Sequence, residues 1–308
     1  MTRIRRVLMS GDTVGGVWSY CLDLARALGE QNVEVVLATM GNGATRAQLA
    51  EAAATPSLCL HDRKLALEWM DDPWGDVEAA GAWLLALEQK FEPDVVHING
   101  FAHAALPFRA PVICVAHSSV DTWFAAVKNE PLPRRYERYA AEAARGLRSA
   151  HTVVAPTRAL LSALVRTYGP LPNGRVVSNG VFVERYSSGA KEGLVLAAGR
   201  PWDEAKNVVA IACAARKLHW PVELAGARDH DTVPAGIRSL GLLARHELAA
   251  RMAKAPIFLH PARYEPFGLA PVEAALSGAA LVLGDIPSLR EVWEDAAAFV
   301  APGDHDGI

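Results

Sequence analysis

The sequence predicts an α/β protein of two domains, each a parallel sheet with helices on both faces, and three observations carry that reading. The chain has 308 residues, about twice the usual single-domain length. Short apolar runs ending in Gly, His, Asn or Pro alternate with longer amphipathic stretches throughout. Several of the runs are apolar at successive rather than alternate positions, as in strands covered on both faces. Hydrophobic residues make up 51% and charged residues 21%, which excludes a largely disordered chain.

Taken in order, residues 6–10 form a first strand that leads into a helix over 17–28, and 33–39 a second strand before a helix over 45–54. A helix over 83–90 precedes a strand at 95–98, and strands follow at 112–116, 152–155 and 176–178. The segment between Gly180 and Gly193 has no sustained apolar period and contains a Ser-Ser-Gly turn, so it marks the boundary. Beyond it come strands at 194–198, 222–225, 257–260, 281–283 and 297–300. Strand–helix alternation of this kind gives parallel sheets with sites at the carboxyl ends of the strands. Two Rossmann-like domains are expected, residues 1–185 and 190–308, with a cleft between them. The second is short for such a domain and is expected to be incomplete, without its carboxyl-terminal helices.

The formal net charge of −3 offers no global positive field for a nucleic-acid backbone. Val7-Leu8-Met9 is too short an apolar core for a signal peptide. The stretch 267–283 is interrupted by Glu273 and Gly278, so no membrane-spanning helix is expected. Cys21, Cys59, Cys114 and Cys213 lie far apart in apolar segments and fit no zinc or redox spacing; buried free thiols in a reducing cytoplasm are the expectation.

Three constellations point to chemistry. Gly15 and Gly16 fall between the first strand and first helix, where a backbone can approach an anion at a helix N-terminus. They match neither the dinucleotide fingerprint nor a P-loop. Arg200 and Lys206 stand on the turn after strand 194–198, and two cations there suit a diphosphate; pairing of Arg200 with Asp203 or Glu204 is the alternative. Glu265 and Glu273 flank the Pro266-Phe267-Gly268 turn that opens a helix, with Glu273 expected two turns into it. Carboxylates accept paired hydrogen bonds from vicinal hydroxyls, so sugar and ribose are natural partners.

This ordered set, together with Ala116-His117-Ser118, Ser178-Asn179-Gly180-Val181 and Lys206-Asn207, resembles the family 4 glycosyltransferases of the GT-B fold, over nearly the whole chain. The resemblance implies that Arg200 and Lys206 hold the donor diphosphate and stabilise the leaving nucleotide. It assigns Glu273 to the ribose and Glu265 to the donor sugar. The amides of Phe267, Gly268 and Leu269, with Gly15 and Gly16, would meet sugar or phosphate oxygens. Asn179 would also belong to the donor site, and His117 would lie near the anomeric carbon. The implied activity is retaining transfer of a hexose from a nucleoside-diphosphate sugar, UDP- or GDP-linked, to a carbohydrate, lipid-linked or small-molecule acceptor in glycan biosynthesis. No metal and no cofactor are expected. The expected place is the cytoplasm, or the inner face of a membrane as a peripheral protein. Two other readings stand beside it: a catalytically silent sugar-nucleotide-binding module, and a phosphorylase or synthase of the same architecture.

Asp229-His230-Asp231 and Asp304-His305-Asp306 match D-x-D, a metal-binding motif of another glycosyltransferase fold, but so short a pattern arises easily by chance. His61, His97, His103, His151, His219, His246 and His260 form no metal-ligand spacing, and structural roles are expected of them. Trp123 and Phe124 are expected on a surface loop.

Overall fold

A computed structural model describes residues 3–228 and 232–308, so the Asp229-His230-Asp231 motif lies outside the described residues. The chain divides into two compact units, Met1–Phe124 with Glu130–Gly180, and Ala125–Asn129 with Val181–Ile308. The second unit thus takes in the segment 181–192 and, from earlier in the chain, most of a short helical turn, whose Lys128 pairs with Glu204 at 2.5 Å.

Unit 1 runs β1 (Arg6–Asp12), α1 (Gly16–Glu30), β2 (Glu34–Met40), α2 (Arg46–Ala53), β3 (Leu58–Asp62), α3 (Trp74–Phe91), β4 (Val95–Ile98), β5 (Val112–Val115), α4 (Val120–Trp123), α5 (Glu137–Ser149), β6 (Thr152–Ala155), α6 (Arg158–Tyr168) and β7 (Gly174–Val176). Its strands are all parallel in the order β3-β2-β1-β4-β5-β6-β7. The central strands are buried on both faces. Leu8, Val36 and Ala38 point into a core with Leu84 and Leu147. Val7, Met9, Val35 and Leu37 point the other way, against Trp18, Leu22 and Ala25 of α1. Each fully buried Leu or Met adds roughly 1.5–3 kcal/mol, which is why these strands carry no polar alternation.

Unit 2 runs β8 (Val195–Ala198), α7 (Val208–Ala215), β9 (Val222–Ala225), β10 (Ile237–Gly241), α8 (Arg245–Lys254), β11 (Ile257–His260), α9 (Leu269–Leu276), β12 (Ala280–Gly284), α10 (Pro287–Trp293) and β13 (Ala298–Val300). The parallel order is β10-β9-β8-β11-β12-β13. Again the central strands β8 and β11 split their side chains between two cores, with Leu196 and Phe258 on one face and Val195 and Leu259 on the other.

The sequence pattern misses β3 and β10. Both are edge strands, with only partial or no burial along their length, so neither shows a continuous apolar run. The same edge position leaves Cys59 exposed, whereas Cys21 and Cys114 are buried, and all four cysteines are free thiols. Trp123 and Phe124 do not lie in a loop: they end α4 and begin the helical turn after it, with ring centroids 5.1 Å apart. Among the described residues, no helix is long and apolar enough to cross a membrane.

Candidate active site

The chemistry of unit 2 gathers at the carboxyl ends of β8 and β11. After β8 the chain turns sharply at Gly199, where a Cβ would sit 3.1 Å from the Lys206 stem; a residue without a side chain lets that stem pass. Asp203 caps the short helical turn Glu204–Lys206 by accepting from the Ala205 amide at 3.1 Å. Asn207 follows in a left-handed conformation, its side-chain amide donating to the Pro261 and Pro302 carbonyls at 2.8 Å each. The Arg263 amide donates to the Ala205 carbonyl at 2.9 Å. These bonds stitch the loop after β8 to the loop after β11, so the two motifs meet although they are far apart in sequence.

The result is a buried ionic cluster. Lys206 Nζ donates to Glu265 Oε2 at 2.7 Å, and the two side chains are only 20% and 15% exposed. His260, the last residue of β11, places Nε2 3.2 Å from the same oxygen. Burial alone would raise the Glu265 carboxyl, but the Lys206 charge and the His260 hydrogen bond outweigh it and hold it well below the usual carboxylate range. Glu265 is therefore an ionised acceptor. His260, for which a structural role was expected, thus bonds the carboxylate of this cluster; its place at a strand's carboxyl end is the signal that could have singled it out.

Arg200 stays on the same loop but turns to Asp203, with Nη2 2.7 Å from Oδ2, while its guanidinium lies 4.8 Å over the Trp202 ring. Arg200 thus makes the Asp203 pairing noted from sequence, with its side chain still 38% exposed.

The helix after Glu265 begins one residue past Gly268, whose φ of 92° demands a residue without a Cβ. No side-chain cap covers the N-terminus of α9; Leu269 opens the helix and Phe267 is buried beside it. Because α9 starts at Leu269, Glu273 stands little more than one turn in, not two. Its Oε1 accepts from the Tyr186 hydroxyl at 2.8 Å and lies 3.8 Å from Arg245 Nη2. Burial and the Glu273 carboxylate push the Tyr186 hydroxyl far up, so it acts as a donor. Sequence reasoning missed Tyr186 and Arg245, one in the presumed boundary segment and the other on an amphipathic helix, and neither carries a motif.

In unit 1, Gly15 caps α1 and Gly16 is its first residue, with no side-chain cap and no acid in the first turn. His117 follows β5, and its Nε2 lies 2.8 Å from Asn99 Oδ1. Burial, with His97 close by, pushes it down to about 3, so its imidazole is neutral at physiological pH. Asn179 lies in the irregular segment after β7, partly buried. His103 and His151 are structural, the first bonded to the Val77 carbonyl and the second to the Val112 amide. The second D-x-D does not converge: Asp304 accepts from the Asp306 and Gly307 amides, and Asp306 pairs with Lys217. Among the described residues, no group of three or more His, Cys, Asp and Glu side chains gathers as metal ligands.

The family model described as Glycosyltransferase Family 4 matches residues 14–185, and the model of Glycosyl transferases group 1 matches residues 230–308. Among curated relatives, O-antigen chain mannosyltransferase B of Escherichia coli is 32% identical over 30% of this chain and 27% of its own length. Alpha-maltose-1-phosphate synthase of Mycobacterium tuberculosis is 28% identical over 62% of this chain and 58% of its own. The chain therefore spans less than two thirds of the length of these relatives. In fold it is similar to a sucrose-phosphate synthase from Thermosynechococcus elongatus, with a TM-score of 0.78, 16% identity and coverage of 98% and 87% of the two chains. It is also similar to Anabaena HepE, solved in complex with UDP and glucose, with a TM-score of 0.75, 16% identity and the same coverages.

Proposed function

The chain belongs to glycosyltransferase family 4, and on that premise we propose that it transfers a hexose from a nucleoside-diphosphate sugar to an acceptor hydroxyl with retention of anomeric configuration. One observation carries the reading: Lys206 and an ionised Glu265 are held together at 2.7 Å beside the uncapped N-terminus of α9. A cation, hydroxyl-accepting carboxylates and helix amides within one loop cluster are what a sugar diphosphate needs.

In this reading Lys206 and Arg200 hold the diphosphate, Glu265 the donor sugar and Glu273 the ribose. The Phe267, Gly268 and Leu269 amides take sugar or phosphate oxygens. In unit 1, Gly15 and Gly16 are assigned to phosphate and His117 to the anomeric centre; Asn179 is assigned to the donor. The bond from the anomeric carbon to the phosphate oxygen breaks with its electron pair leaving on the phosphate. The acceptor oxygen bonds to that carbon on the same face, and its proton passes to the departing phosphate. His117 positions groups and does not abstract the proton. Lys206 and Arg200 neutralise the charge that develops on the leaving nucleotide, so the reaction proceeds without a divalent ion. UDP- and GDP-linked sugars are the proposed donors, and HepE, solved with UDP-glucose, supports the first of them.

The test has two steps. A thermal-shift screen against UDP, GDP, ADP and their sugars identifies the donor, because a ligand of the native state raises Tm. Transfer from the α-linked donor is then followed in excess EDTA, with the product anomer read from NMR coupling constants. An α product formed in EDTA supports the proposal, and a β product or strict dependence on Mg²⁺ refutes it. Nucleotide binding without transfer points instead to a silent binding module, and phosphate-dependent cleavage to a phosphorylase.

A further inference from the structure

We propose that Asn99 is a positioning residue that fixes His117 in its Nε2–H tautomer, and so presents Nδ1 of His117 as a hydrogen-bond acceptor for a sugar hydroxyl. The proposal rests on the placement of His117 at the reacting centre made above, but its central claim concerns the protein without substrate.

Asn99 follows directly on β4, the middle strand of the seven-stranded sheet, which pairs with β1 on one side and β5 on the other. It therefore reaches both neighbours at the carboxyl edge, beside the point where the strand order reverses. Its Nδ2 lies 2.6 Å from the Ser10 carbonyl of β1 and 3.3 Å from Cys21 Sγ. Its backbone amide donates to Ser10 Oγ at 3.0 Å, which fixes the residue as a whole.

A carbonyl oxygen can only accept. The atom 2.6 Å from Ser10 O must then be the amide nitrogen, and the flipped amide would set two acceptors against each other. Oδ1 consequently faces the histidines, 2.8 Å from His117 Nε2 and 3.2 Å from His97 Nε2. An amide oxygen also only accepts, so the nitrogen 2.8 Å away carries the proton. With His117 neutral, Nδ1 keeps its lone pair.

The ring is held from a second side. Tyr20, in the first turns of α1, packs edge-on against His117 with centroids 4.6 Å apart. Its hydroxyl is pushed far up by burial, so it adds no charge. His97 is also held neutral, pushed down to about 4 by burial. A cationic His117 would face that second imidazole, and among the described residues no carboxylate is hydrogen-bonded to it. The arrangement suits an imidazole that receives a hydroxyl proton in a hydrogen bond and never delivers one.

The experiment is a long-range ¹H–¹⁵N correlation spectrum of the full chain without substrate, with the His117 signals identified by their loss in His117→Ala. A protonated Nε2 and an unprotonated Nδ1, unchanged from pH 5 to 8, is the expected result. Asn99→Asp puts a carboxylate against the ring and should shift the pattern towards the doubly protonated form as pH falls; Asn99→Ala should give mixed tautomers. A wild-type His117 that is mixed, or protonated at Nδ1, overturns the proposal.

Turnover supplies the functional arm. Asn99→Ala and His117→Ala should each lower kcat ~10-fold, the size of one neutral hydrogen bond, and the double variant should fall no further. Additive losses would refute the route through His117. A wild type with the expected tautomer but no sugar transfer would sink the transferase reading and leave the tautomer assignment standing.

Discussion

Replacing Lys206 with Met removes one partner from a buried carboxylate and keeps the apolar stem. At 2.7 Å the Coulomb attraction is about 6 kcal/mol at an effective dielectric near 20, but desolvation of both groups offsets most of it. Breaking such a pair from one side costs roughly 3–5 kcal/mol because the orphaned charge stays buried. Here the partners are 20% and 15% exposed, and His260 still reaches Glu265, so about 2–3 kcal/mol is expected. The cost has a pH signature. The Glu265 carboxyl is depressed in the folded chain, so its contribution is fully present above the unfolded value, about 4.3, and is lost as pH falls below it. In Lys206→Met burial, the largest influence on that carboxyl, is opposed by His260 alone, so the variant keeps less of this gain as pH climbs through the same region. The gap between wild type and variant should therefore widen from pH 4 to pH 7. Urea unfolding across that range, followed by circular dichroism, measures it. Lys206→Met/Glu265→Gln should recover at least ~1 kcal/mol relative to the sum of the single losses. A variant within ~0.5 kcal/mol of wild type, or a gap independent of pH, would show that the pair does not carry the loop. Turnover of Lys206→Met should fall ~10²–10³-fold.

The two carboxylates separate by ligand: Glu273→Gln should weaken free nucleoside diphosphate and sugar nucleotide alike, whereas Glu265→Gln should weaken chiefly the sugar nucleotide. Calorimetry giving the reverse order would exchange their roles. His117→Ala should cost less turnover than Lys206→Met, and the wild-type rate should show no inflection from His117 between pH 5 and 8, since that imidazole titrates near 3. Gly146→Ala tests the core of unit 1: a Cβ there would lie 1.8 Å from the Phe101 carbonyl, and the forced shift of α5 should cost at least ~2 kcal/mol in urea unfolding.

The sequence by itself determined most of the architecture. Strands β1, β2, β8 and β11 are apolar at successive positions because helices cover both faces, and a pattern of that kind survives without coordinates. Gly268 and the glutamates on either side of it were legible for a similar reason: a left-handed turn before a helix leaves a local mark. The edge strands β3 and β10 were not legible, because a half-covered strand has neither continuous nor cleanly alternating apolarity. Only the tertiary structure decided which side chains meet. Lys206 and Glu265 are joined because Asn207 and Arg263 tie two loops together, and Arg200 turns instead to Asp203 three residues away. Tyr186 reaches Glu273 across 87 residues of sequence, and Asn99 reaches Ser10 across 89. Such contacts depend on strand order, and strand order is set by how whole helices pack on a sheet. Local periodicity reports what a residue buries, and it is silent on which distant residue it is buried against.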